Sequence, residues 1–400
     1  MQWDLSRASR LGASLALAGF LAGCAGSPLD SFGLSSEREQ PQQQAAAGDV
    51  IGNGPVKVAL ILPISSANGQ AAAQSLRNAA QLAVEDFSGG AGATSNIQII
   101  VKDDRGTPEG ARIAAQEAVQ EGAELVLGPL FAPNVQAAAA VLRPAGKPMI
   151  AFSSDSGVAQ RGVYLLSFLP QSDVQRVVGF AQSRGKKAFA ALIPQTPYGN
   201  VVEAEFMSLA NQQGGRVTRV ERYQPGNTAS LSQATQRLKD VIGQSDTLFI
   251  GEGADGVGAV MQQLAAAGIN SRSVQFISTG IWNDQRAIGL PALDGAWFAA
   301  PDNSRFNALA GRYQQRFGSA PTRLATLSYD AVTLASALTQ AYGAQRFADT
   351  NLTNANGFAG QDGVFRFRSN GLNDRGIAVF EIRGGNARAI SGAPGSFAGN

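Results

Sequence analysis

Two clusters in this 400-residue chain have the residue types and spacing for chemistry, and the composition limits what each could do. Gly251-Glu252-Gly253-Ala254-Asp255-Gly256 follows an apolar run and precedes a helical pattern, the context in which G-x-G-x-x-G cradles a pyrophosphate. That use also needs an acidic residue about 20 positions on to hold a ribose, and residues 275–279 contain none. The reading is therefore a glycine-rich turn at a strand end. Glu252 and Asp255 could serve as an acid/base pair for glycoside chemistry, but carboxylates in such a turn are ordinarily solvated. Asp103-Asp104 could suggest a metal pair; adjacent residues on a strand point to opposite faces, so they do not converge on one ion. There is no histidine and only one cysteine, Cys24, which excludes Ser-His-Asp triads, Cys-His dyads and Cys/His zinc sites. The expectation is a protein that is not an enzyme and uses no cofactor and no metal.

The charge balance, 32 basic against 30 acidic residues, shows no basic stripe, and nucleic acid is not an expected partner. Residues 1–23 have the build of a secretory signal: Arg7 and Arg10 lie ahead of an apolar run, 11–21, too short to span a bilayer. Leu21-Ala22-Gly23-Cys24 resembles the lipobox of bacterial lipoproteins, which implies cleavage before Cys24 and lipidation of its thiol. Residues 24–54, rich in Ser, Gln, Gly, Ala and Pro, read as a lipidated flexible tether.

The elements that must position any site begin at Pro55. Continuous apolar runs at 56–63, 97–101, 125–127, 148–152, 163–168, 188–193, 217–223, 247–250 and 274–278 alternate with amphipathic stretches such as 71–87, 108–120 and 199–212. Strands that are apolar throughout, not alternating, are covered on both faces, as in parallel sheets. Thr107-Pro108-Glu109 is a helix start with a capping hydroxyl, proline at the first position and a carboxylate near the dipole. So many strands over more than 340 residues favour two doubly wound α/β lobes. Boundaries are marked at Phe168-Leu169-Pro170, at 295–301 and in the polar stretch 351–363. After Pro301 come two helices, 303–317 and 325–342, and a hairpin pairing 364–368 with 376–382 around Ser369-Asn370-Gly371. Ligands of such sheets bind beyond the carboxyl ends of the strands, which puts function in a cleft between the lobes.

The run Val56-Lys57-Val58-Ala59-Leu60-Ile61-Leu62-Pro63, with Asn78-Ala79-Ala80-Gln81-Leu82-Ala83, Lys102-Asp103-Asp104, Gly128-Pro129-Leu130, Pro197-Tyr198-Gly199 and Ser328-Tyr329-Asp330-Ala331, resembles the type I periplasmic binding proteins of the leucine/isoleucine/valine-binding family. Gly128-Pro129-Leu130-Phe131-Ala132-Pro133 and Pro148-Met149-Ile150-Ala151-Phe152-Ser153 are similar to the lipoprotein branch related to penicillin-binding-protein activators. The resemblance implies two Rossmann-like lobes with three crossovers and a central cleft. On that frame the chain divides into a signal peptide (1–23), the tether (24–54), lobe one (55–168 with 300–345) and lobe two (169–299 with 346–390). It implies a ligand cleft built from Ser65, Ser66, Asn68, Phe131, Ser153, Ser154, Asp155, Tyr198, Glu252 and Trp282. Tyr198 is placed on the cleft by the family, and Trp282 is either an aromatic wall or hinge packing.

The departures bear on the ligand. Amino-acid-binding members hold the ligand carboxylate with hydroxyls and amides after the third strand, where this chain has Phe131-Ala132-Pro133, with no hydroxyl and one amide fewer. Ser153-Ser154-Asp155 keeps two hydroxyls but adds a carboxylate that repels an anion. Ser278-Thr279-Gly280-Ile281-Trp282 lacks the acid that pairs with an ammonium, leaving Asp284 and Glu252 nearby. The resemblance implies a lipid-anchored extracytoplasmic binding protein that closes on a small ligand, an amino acid or a cell-wall fragment, and serves an ABC permease. The alternative is an activator that contacts a peptidoglycan synthase. The anchor on Cys24 implies a periplasm-facing place in the envelope, and Ala25 favours the outer membrane over the inner.

Overall fold

The computed structural model describes residues 49–397 apart from 91 and 213. The signal segment and most of the tether lie outside the described residues. In the first lobe the chain runs β1 (Val50–Ile51), β2 (Val56–Leu62), α1 (Gln70–Ser88), β3 (Ile97–Asp103), α2 (Pro108–Gln120), β4 (Leu125–Leu127), α3 (Ala132–Leu142), β5 (Met149–Ala151) and β6 (Val163–Leu165). The strands lie in the order β1-β3-β2-β4-β5-β6, all parallel except β1, which runs antiparallel to β3 with Val50 opposite Ile100. The tether expected to reach residue 54 therefore ends earlier: Val50 and Ile51 pair with the sheet edge, and Ile51 is buried.

The second lobe continues with α4 (Pro170–Ser183), β7 (Ala188–Pro194), α5 (Pro197–Ala210), β8 (Arg216–Tyr223), α6 (Thr228–Ile242), β9 (Thr247–Ile250), α7 (Val257–Ala266), β10 (Gln275–Ser278), α8 (Gln285–Ile288) and β11 (Trp297–Ala300). The chain then returns to the first lobe through α9 (Asn303–Phe317), α10 (Ala325–Tyr342), α11 (Asp349–Leu352), β12 (Phe365–Phe367) and β13 (Asn373–Arg375). It ends in the second as β14 (Ala378–Arg383) and β15 (Asn386–Ser391). The second sheet has the order β15-β14-β11-β10-β9-β7-β8, parallel from β8 to β11 and antiparallel at β14 and β15.

Strands such as β2 and β7 are apolar along almost their whole length because both faces of each sheet are covered. Leu60, Leu127, Ile150 and Tyr164 pack under α1, α9 and α10, whereas Ala59, Ile61, Val126 and Leu165 meet the alanine-rich faces of α2 and α3. In the second lobe α6 and α7 cover one face, with Leu192, Leu248 and Phe276. On the other face α4 and α5 pack against Phe189, Phe249 and Ile277. Local signals agree with the elements: Thr107 Oγ1 accepts the Gly110 N–H at 3.0 Å, with Pro108 at the first position of α2.

Two sequence expectations are corrected. Residues 346–376 belong with the first lobe, since Phe347, Leu352, Phe365 and Phe367 are buried in its core. The polar stretch 351–363 is a loop of that lobe, and the third crossing falls instead between Arg375 and Ala378. The hairpin turns where expected, with the Gly371 N–H donating to the Arg368 carbonyl, but β12 pairs with β13, Phe367 opposite Asn373. Residues 378–383 pair with β11 and β15.

Candidate functional site

The two sheets turn the carboxyl ends of their parallel strands to one gap, and helices α4, α5 and α9 all begin there. A cavity of about 880 Å³ lies in it. The first lobe contributes Ser154, Asp155 and Ser156, and the crossings contribute Phe168, Pro170, Ala300 and Pro301. The second lobe adds Asp173, Pro197, Tyr198, Val201, Gly280, Ile281 and Asn283. From the returning chain Asn303, Phe306, Asn307 and Arg323 complete the wall.

The proline that opens each of α4 and α5 sits where a missing N–H costs nothing, and it seats the helix end on the cavity. Gly199, just inside α5, packs so closely that a Cβ there would lie 1.9 Å from the Pro194 carbonyl oxygen. That contact fixes the neighbouring Tyr198, whose hydroxyl is hydrogen-bonded to Thr279 Oγ1. Burial pushes the Tyr198 phenol well above its usual range. Asp173 Oδ2 accepts the Gly280 N–H at 2.9 Å, and burial raises this carboxyl to about 7 against the opposing pull of that hydrogen bond and of Arg375. Asp155 closes its own turn, Oδ1 accepting the Gly157 N–H at 2.8 Å. Arg323 pairs with Asp362, donates to Asn303 Oδ1 at 2.9 Å and stands 4.3 Å from the Phe306 ring centroid.

Of the residues singled out from the sequence, Ser154, Asp155 and Tyr198 line this cavity. Ser65, Ser66, Asn68 and Phe131 sit at strand ends of the first lobe outside it. The Ser65 N–H donates to Asp103 Oδ1 at 3.3 Å, and the Phe131 ring packs by Gly69. Ser153 is buried, its Oγ accepting the Asp155 N–H at 3.2 Å. Glu252 is taken by the Tyr223 hydroxyl.

Trp282 is corrected outright: it is 0% exposed, its Nε1–H donates to the Glu252 carbonyl at 2.9 Å, and its ring belongs to the second core. An indole needs an acceptor when buried, and this one leaves no face for a ligand. Asp284, the other acid considered for an ammonium, is held at about 2 by Arg286, which also pairs with Asp255. Asp103 and Asp104 anchor loops: Asp103 Oδ1 takes the N–H groups of Ile64, Ser65 and Arg105, and Asp104 Oδ1 that of Gly106.

Sequence reasoning missed Phe168, Asp173, Phe306 and Arg323. The boundary prolines Pro170 and Pro301 gave a signal for the first, since a hinge borders a cleft. Asp173 and Arg323 had none.

The architecture can be placed among known proteins. A family model described as periplasmic binding protein matches residues 55–387. The chain belongs to the periplasmic binding protein family. Its fold is the type I form, two α/β lobes with three crossings and a central cleft. Among curated relatives, Leu/Ile/Val-binding protein homolog 6 of Brucella melitensis is 26% identical over 204 residues, 49% of this chain and 51% of that protein. Penicillin-binding protein activator LpoA of Pectobacterium parmentieri is 29% identical over 145 residues, 36% of this chain and 21% of that protein. The matched region thus spans about half the length of the first relative and a fifth of the second. A branched-chain amino acid ABC transporter periplasmic ligand-binding protein from Burkholderia xenovorans superposes with a TM-score of 0.67 at 18% identity, covering 86% of this chain and 97% of that one. Among the described residues of the binding protein, no helix is long and apolar enough to cross a membrane.

Proposed function

We propose that this chain is an extracytoplasmic solute-binding protein, similar to leucine-binding proteins, that closes its lobes on a small ligand and presents the closed form to an ABC permease. The observation that carries the reading is the cavity lined from both lobes and from the crossings, where rotation of one lobe changes every wall at once. The names of the relatives, which speak of Leu/Ile/Val binding and of a periplasmic ligand-binding protein, support a solute of amino-acid size. Closure is driven by the ligand's greater affinity for the closed arrangement. Isothermal calorimetry of the full-length protein against amino acids, short peptides and peptidoglycan fragments tests this. A saturable heat with one class, together with a smaller radius of gyration in X-ray scattering, is the expected result.

The lipobox-like Leu21-Ala22-Gly23-Cys24 supports lipidation of Cys24 and a periplasm-facing anchor, with Ala25 favouring the outer membrane. Incorporation of labelled palmitate that disappears in Cys24→Ser tests the anchor. The match to a penicillin-binding protein activator favours a second reading, in which the same body contacts a peptidoglycan synthase. Co-purification of a synthase with no solute heat selects that one.

A further inference from the structure

Arg323 holds a different position from any anion-binding group anticipated in the sequence. It comes from the segment just before α10, lines the cavity, and uses two of its five N–H bonds on Asn303 and Asp362. The other three have no protein partner among the described residues. Its guanidinium is held in place by stacking over Phe306, 4.3 Å from the ring centroid, so its fork is preorganised.

Behind it lies a second guanidinium. Arg375 is nine-tenths buried, stands 5.0 Å from the centroid of the Phe168 ring that lines the cavity, and leaves both Nη atoms without a partner. The N-termini of α4, α5 and α9, helices of 14, 14 and 15 residues, open on the same cavity and add partial positive charge. Asp362 and Asp330 act on the Arg375 guanidinium, Asp362 also pairs with Arg323, and Asp173 and the capping Asp302 take up a further part of that field. Asp173, already pushed to about 7 by burial, gives up its charge readily when a second anion approaches. Asp155, on the first-lobe wall, is exposed.

From this we infer that Arg323 is the receptor for an anionic group of the ligand, so that a carboxylate-bearing solute lies with its charge at the hinge end of the cleft and its apolar body along Phe168, Tyr198 and Ile281. The inference rests on the solute-binding reading and deepens it by fixing ligand class and polarity.

The test is calorimetry of the full-length protein with 4-methylpentanoate and phenylacetate, each alongside its primary amide and the corresponding amine. An acid should bind, its amide and amine should bind at least tenfold more weakly, and Arg323→Gln should weaken the acid by roughly ten- to hundredfold. Arg323→Lys should recover part of that loss. Because Arg323→Gln strands the buried Asp362, the double variant Arg323→Gln/Asp362→Asn is measured with it, each checked by circular dichroism. Equal binding of acid and amide, preference for the amine, or an acid affinity unchanged in folded variants overturns the assignment and leaves solute binding standing. No heat with any of the six probes, nor with the amino acids and peptides above, overturns both.

Discussion

The most searching perturbation available is pH, because this chain contains no histidine. In most proteins imidazoles obscure the interval from pH 5 to 8. Here the groups that change charge inside the fold in that interval are displaced carboxyls. Asp330 on α10 is 3% exposed, and burial raises it from 3.8 to about 7, against opposing pulls from Arg375 and the Gln361 N–H. In the unfolded chain it titrates near 3.8. Between those values the folded state holds a proton that the unfolded state has released, so folding stability falls as pH rises. Its contribution is fully present below about pH 4 and is lost by the time pH passes 7. A displacement of about three pKa units at ~1.4 kcal/mol each sets an upper bound of ~4 kcal/mol. Asp330→Asn keeps an acceptor for the Gln361 N–H, 2.9 Å away in the native chain, and removes the ionisation. Urea denaturation followed by circular dichroism at intervals from pH 4.5 to 7.5 should show the variant gaining on the wild type by ~2–4 kcal/mol across the range. A difference that stays constant within ~1 kcal/mol would refute the argument that burial dominates at this carboxyl.

Three further substitutions separate the structural roles argued above. Thr107→Ala removes the cap on the Gly110 N–H and should cost ~1 kcal/mol in urea denaturation, without altering solute affinity. Gly199→Ala drives a methyl group into the Pro194 carbonyl and should destabilise by more than ~2 kcal/mol. It should also weaken solute binding, since Tyr198 must move with the helix start. Trp282→Phe leaves the Glu252 carbonyl unpaired in the second core and should cost ~1–3 kcal/mol while leaving solute specificity unchanged; a change in specificity would return Trp282 to the cleft.

How far the sequence discloses the structure depends on the range of the forces involved. Strands such as β2, β4 and β9 announce themselves because a strand covered on both faces must be apolar throughout. Helix α2 is legible from its proline and capping threonine alone. What fails is whatever depends on the partner. The segment 295–301 has boundary residues at its ends, yet β11 inside it is the strand on which β10 and β14 meet. Residues 346–376 follow a long helix and carry few apolar positions, so nothing local says that Phe365 and Phe367 return to the first core. Among site residues, Ser154, Asp155 and Tyr198 follow strands in the expected register. Trp282 follows one too, but turns inward to satisfy its N–H.

The side chains that tie the crossings to one another are also beyond any local pattern, and there is a physical reason. Two lobes joined by three chain segments need those segments to stay in register with each other, and no regular element runs across them to supply hydrogen bonds. Side chains supply them instead. Arg375 Nε donates to the Ser167 carbonyl at 3.2 Å, tying the third crossing to the first, and Asn373 Nδ2 reaches the same oxygen at 3.1 Å. Arg176 on α4 ties the third crossing to the second lobe through the Ile377 carbonyl at 2.8 Å. Arginine suits this work because its planar fork makes several directed bonds and its stem packs on aromatic rings. The carboxyls that accompany it are forced into low-dielectric surroundings, which is why Asp173 and Asp330 are both raised to about 7. Phe168 at the first crossing is cavity wall on one side and packs against the Arg375 guanidinium of the third crossing on the other, so a ligand in the cavity touches a side chain that the crossings share. On the reading proposed above, an anion at Arg323 would be coupled to the geometry of the crossings through that shared contact.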